Sequence, residues 1–88
     1  MNRPTKPVFI IYSRSYCHLC EDMLNELMLL KPVYSFEIKI FDVDLDDLLL
    51  AQYDELVPVL MIQTGDADPD YVCHYRLDHA KVTAFLSR

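Results

Sequence analysis

Two cysteines separated by two residues, Cys17-His18-Leu19-Cys20, are the residues of this chain best suited to chemistry. They stand where the hydrophobic run Val8-Phe9-Ile10-Ile11-Tyr12 gives way to a segment with an apolar stripe. At the start of a helix a thiolate is favoured by the helix dipole and by backbone N–H groups that lack intrahelical partners. A second cysteine one turn later lies within reach to close a disulfide with the first. Such a pair can exchange two electrons with another disulfide.

Two further readings of the pair stay open at this point. A permanent staple is one, although closing so short a loop removes little unfolded-state entropy. A metal or iron–sulfur site is the other, with Cys73 and a histidine as additional ligands, since zinc generally takes four. Cys73 and His74 are adjacent on an expected strand, and alternation puts them on opposite faces. Cys73 is therefore read as a small buried hydrophobe and His79 as a surface residue.

At 88 residues, 52% hydrophobic and with one glycine, the chain is expected to form one packed domain over residues 1–88. A net charge of −6 argues against a nucleic-acid surface, although Arg3, Lys6 and Arg14 gather near the front. No apolar run approaches the roughly 20 residues that span a bilayer, so no membrane partner is expected. Residues 1–7 are polar and proline-containing, without the apolar centre of a signal peptide. The expected location is cytoplasmic. Three cysteines are too few for a secreted disulfide framework, which agrees with that reading.

The elements that must position the pair follow from periodicity. The first apolar run reads as a central strand covered on both faces. Leu19, Cys20, Met23, Leu24, Leu27 and Leu30 then fall on one side of an amphipathic helix that Pro32 stops. Phe36, Ile38 and Ile40 alternate with charged residues, as in a strand with one wetter face. Asp44 is expected to cap a second helix over residues 45–53, with Leu45, Leu48, Leu49 and Tyr53 turned inward. A strand begins after Pro58, a turn around Gly65 and Pro69 follows, and residues 71–76 form the return arm of a hairpin. Asp78 can cap a last helix that reaches Leu86. The order is β-α-β-α-β-β-α, an α/β domain whose four-stranded mixed sheet is flanked by helices, with a parallel crossover in its first half.

With that order and those cysteines, the chain resembles the thioredoxin superfamily, and most closely its glutaredoxin-like members. The stretch Ile11-Tyr12-Ser13-Arg14-Ser15-Tyr16-Cys17-His18-Leu19-Cys20 is similar to their strand–loop–C-x-x-C opening, with a basic residue three positions before the first cysteine. Asp42-Val43-Asp44 resembles the acidic end of their second strand. Val57-Pro58 falls where the family has a cis-proline, and Tyr53 to Leu60 is similar to the Y-x-x-x-V-P-V-L stretch of the short C-x-L-C proteins. In one respect the chain departs. Glutaredoxins carry a Gly-Gly pair after the last strand, whereas Tyr75-Arg76-Leu77, followed by Asp78, stands here. Those side chains are expected to narrow or remake the groove for glutathione.

The resemblance implies a thiol–disulfide oxidoreductase in which Cys17 attacks and Cys20 resolves. It implies a cis Val57–Pro58 bond whose backbone meets an extended substrate, and an Arg14 that holds a substrate carboxylate and helps the Cys17 thiolate. An exposed loop arginine is equally compatible with simple solvation. His18, when cationic, favours the neighbouring thiolate, and Leu19 offers apolar surface; both also fit plain helix-turn residues facing water. Arg14, Tyr16, His18, Leu19, Val57, Pro58 and Asp78 make up the candidate substrate-contacting set. No bound organic cofactor and no resident metal is implied. Protein or low-molecular-weight disulfides, with glutathione as a conceivable co-substrate, are the expected partners of a monomer. A cluster shared between two chains, known among glutaredoxins, and a non-enzymatic adaptor using Leu29 or Leu50 are the alternatives.

Overall fold

Strand β1 (Val8–Ser13) runs through the middle of the molecule, as its uninterrupted apolar sequence requires. The computed structural model describes residues 6–87; Arg3 and the rest of the expected polar leader up to residue 5 lie outside the described residues. Around β1 are α1 (His18–Met28), β2 (Glu37–Asp42), a 3-10 turn (Val43–Leu45), α2 (Asp47–Tyr53), β3 (Val59–Gln63), β4 (Asp70–His74) and α3 (His79–Leu86). The sheet order is β2-β1-β3-β4, with β1 parallel to β2 and antiparallel to β3, and with β4 antiparallel to β3. The expected order of elements and the mixed sheet are thus present.

One face of the sheet carries the core. Phe9 and Ile11 of β1 meet Leu60 and Ile62 of β3 beneath Met23 and Leu27 of α1 and Val82 of α3. Phe36, just before β2, closes one end with an edge-to-face contact on Phe9, ring centroids 5.2 Å apart. A register shift between Leu60 and Met61 bulges β4. It brings Val72 and Cys73 into the same buried cluster. The opposite face is thinner, with Tyr12 stacked on Tyr53 of α2 at 4.8 Å and leaning on Phe41 at 6.2 Å. Burial there pushes the Tyr12 phenol up.

The second helix departs from expectation. Its N-cap is Asp46, whose carboxylate accepts the N–H groups of Leu48 and Leu49, and not Asp44. Moving the cap by two residues turns the helix by about 200°. The expected inward stripe is present only in part: Leu45 and Leu48 are 85% and 78% exposed, Leu49 is half-buried, and Tyr53 packs inward through its ring. Strand β4 also stops earlier than expected, because Tyr75 adopts the left-handed region at φ 64°. The expected cap of α3 is present, with Asp78 accepting the Lys81 N–H at 3.1 Å.

Asp44 has another partner. Arg14, in the loop between β1 and α1, donates through Nε and Nη2 to the two oxygens of Asp44 at 3.3 and 2.7 Å. The same guanidinium reaches the Asp54 carboxylate at 2.8 Å and the Asp54 carbonyl at 3.3 Å. The hydrogen bonds to Asp44 and Asp54 drive the Arg14 pKa up, and the Arg14 hydrogen bond holds the Asp44 carboxyl below its ordinary value. One side chain thereby ties the loop before Cys17 to both ends of the α2 region. Among the described residues, no helix is long and apolar enough to cross a membrane.

Two outcomes are expected. Met23→Ala, at a site with 0% exposure, costs about 2–5 kcal/mol in chemical denaturation, whereas Leu48→Ala stays within about 0.5 kcal/mol; equal losses would contradict the described packing. Because the folded-state Asp44 pKa lies below the unfolded one near 3.8, its stabilisation is present above that value and lost as pH falls through the folded value. Asp44→Asn therefore lowers the unfolding midpoint near neutral pH, and the gap from the parent protein closes as pH falls below the ordinary carboxyl range and through the lowered folded value. A gap that does not change with pH would refute the clamp.

Candidate active site

Cys17 is the N-cap of α1, in extended backbone at φ −107° and ψ 104°. That is one position earlier than a first-turn residue. Its sulfur accepts the backbone N–H of Cys20 at 3.1 Å, taking the place an oxygen holds in an ordinary cap. Its carbonyl accepts the Glu21 N–H at 3.2 Å. The Cys17 and Cys20 sulfurs form a disulfide, with Cα atoms 5.2 Å apart. The two differ in access: Cys17 is half-exposed, while Cys20 is 7% exposed and continues the buried stripe of Met23 and Leu27.

A cavity of about 200 Å³ opens beside the disulfide. Arg14, Tyr16, Cys17 and Cys20 line it together with Leu24 and Ile40. Tyr16 precedes Cys17 at φ 57° and is fully exposed, so it forms a lip of this cavity. Arg14 borders the same space, but its hydrogen bonds go to Asp44 and Asp54. The expectation of a guanidinium at the disposal of a substrate carboxylate gives way to one committed within the chain.

The two residues between the cysteines separate in role. His18 points to solvent with Nε2 3.4 Å from Asp22, one turn along the helix. Leu19 is half-buried and enters a second cavity, of about 360 Å³, between α1 and residues 75–77. The Val57–Pro58 peptide is cis, with Pro58 buried and Val57 half-buried. Tyr75 holds this segment from the far side, through its N–H on the Pro58 carbonyl at 2.9 Å and its hydroxyl on the Glu55 carbonyl at 2.6 Å.

Asp78 lines neither cavity beside the disulfide and spends a carboxylate oxygen on the cap of α3. Burial pushes the Cys73 thiol up, in keeping with a small core residue. Among the described residues, no three His, Cys, Asp or Glu side chains converge where a metal ion could be held.

Sequence reasoning missed three participants. Asp44 and Asp54 as partners of Arg14 left one hint, the acidic end of β2, where an aspartate also suits a helix cap. Tyr75 as the tie on residues 55–58 left none, because a tyrosine carries no signature of left-handed backbone.

The comparisons agree with this geometry. A family model described as "Glutaredoxin-like domain (DUF836)" matches residues 8–87. The protein Ne2328 from Nitrosomonas europaea, solved by NMR in solution, is 32% identical, with a TM-score of 0.80 over 98% of this chain and 95% of that one. The germline-specific thioredoxin Deadhead from Drosophila melanogaster superposes with a TM-score of 0.65 at 21% identity, over 94% of this chain and 80% of that one. A malarial protein does so at 0.66 and 11% identity, over 93% and 94%. The last two show the thioredoxin-like fold alone. A search of the curated proteins finds no match. With the family model spanning the whole sheet and all three helices, the chain belongs to the glutaredoxin-like domain family.

Proposed function

We propose that this protein is a dithiol–disulfide oxidoreductase acting on protein or low-molecular-weight disulfides. The observation that carries the reading is the asymmetry of the pair: a half-exposed Cys17 at the helix start, with a buried Cys20 directly behind it. Once the disulfide is reduced, the Cys20 N–H that now meets the Cys17 sulfur would hydrogen-bond a thiolate there, and the helix dipole favours the same charge. No positive side chain is needed for this, which fits an Arg14 engaged by Asp44 and Asp54.

The reaction runs in two displacements. The Cys17 thiolate attacks one sulfur of the substrate disulfide, forming a mixed disulfide and expelling the other sulfur as a thiolate. Cys20 then loses its proton and attacks the Cys17 sulfur, so the second substrate thiolate leaves. Two electrons have passed to the substrate and the Cys17–Cys20 bond has formed. The reverse sequence oxidises a substrate dithiol. The cis Val57–Pro58 segment, held by Tyr75, lies on the loop where backbone groups could pair with an extended substrate strand.

Replacing the resolving sulfur separates the two steps. Cys20→Ser is expected to accumulate a mixed disulfide on Cys17 when mixed with a peptide disulfide, as read by intact mass. Cys17→Ser forms no adduct and loses turnover by orders of magnitude. Equal adduct formation by both variants, or turnover that survives Cys17→Ser, would overturn the assignment.

A further inference from the structure

The cavity on the Leu19 side of the disulfide has a composition that selects. Met23 and Leu77, both buried, form its floor, and Leu19 extends it to the cysteine pair. Asp22 and Glu26 stand at its rim with their carboxylates about half exposed. Arg76 also borders it, which leaves two carboxylates to one guanidinium. Tyr75 lines it as well, with its hydroxyl donated to the Glu55 carbonyl.

We infer that this cavity is a specificity subsite for a lysine or arginine side chain adjacent to the attacked cysteine, so that the substrate class is a polypeptide disulfide with basic flanks. This rests on the oxidoreductase reading above. The fit is to an amphipathic side chain: an aliphatic stem lies along Leu19, Met23 and Leu77, and its charged head meets Asp22 and Glu26. The imidazoles of His18 and His79 each stand 3.4 Å from one of these carboxylates, longer than the roughly 2.8 Å of a charge-assisted bond to an ammonium or guanidinium.

The charge around the pair points the same way. Helix α1, which carries both the cap cysteine and the buried one, has Glu21, Asp22 and Glu26 and neither lysine nor arginine. On the other side of the disulfide, Arg14 is offset by two aspartates. A substrate whose cysteine lies between acidic residues meets repulsion on this side of the site, and a basic one meets attraction.

The test uses the reduced full-length protein and three synthetic peptide disulfides that differ only in the residues flanking the cysteine: lysine, glutamine or glutamate. The second-order rate of reduction is expected to be about fivefold or more higher for the lysine peptide than for the glutamate peptide at low salt, with the ratio shrinking as salt is added. In the double variant Asp22→Asn, Glu26→Gln the ratio falls toward one. The control Asp66→Asn, Asp68→Asn changes net charge equally, in the exposed turn between β3 and β4, and keeps the ratio. Equal rates for all three peptides overturn the subsite and leave the oxidoreductase intact. A ratio lost equally in both double variants assigns the preference to overall charge and overturns the subsite as well. If no peptide is reduced, the oxidoreductase reading and the subsite fall together.

Discussion

A hydrogen bond from the Cys20 backbone to the Cys17 sulfur fixes the relation on which the site depends. It makes a sulfur the cap of α1, which holds that sulfur at the mouth of the helix, where dipole and free N–H groups act together. Helical geometry then decides the rest. A residue three positions on from the cap falls on the face shared with Met23 and Leu27, so Cys20 is buried by the same packing that forms the core. Access and shelter for the two sulfurs therefore need no special device beyond an amphipathic helix that starts at the right residue.

What remains is to hold the surrounding loops, and two side chains do so from opposite sides. Arg14 gathers Asp44 and the Asp54 end of α2 toward the loop before Cys17. Tyr75 bonds the carbonyls of Glu55 and Pro58 from the end of β4. The segment 54–58 is thus gripped at both ends, which compensates for an α2 that buries no residue and adds little packing of its own. The left-handed backbone of Tyr75 is what lets one residue donate from both its N–H and its hydroxyl into that segment. The arrangement is polar and lies near the surface, so it shapes the site more than it stabilises the fold.

Strong periodicity made much of this legible in the sequence. The unbroken apolar run of β1, the stripe of α1 and the turn residues around Gly65 each admit one reading, and their order fixes the topology. The cysteine spacing already separated an outer from an inner sulfur, because helix geometry alone does so. Legibility failed where several residues compete for one job. Asp42, Asp44 and Asp46 can all cap, and only tertiary contacts decide that Asp44 goes to Arg14 while Asp46 starts the helix. Leu45 and Leu48 face solvent accordingly, where an inward stripe was expected. The pairing of Arg14 with Asp44 and Asp54 is not legible, since a free guanidinium and a paired one look identical in sequence. The cap of α3 at Asp78 was legible, because an aspartate directly before an apolar helical segment is a strong start signal.

The central claim is an accessible, readily ionised Cys17 with a sheltered Cys20 behind it. Alkylation of the reduced protein across a pH series, with each modified thiol mapped by mass spectrometry, tests it most directly. Cys17 should react first and at pH values below the ordinary thiol range near 8.5, and Cys20 should react only slowly until the protein unfolds. Equal labelling of the two, or Cys20 ahead of Cys17, would contradict the account.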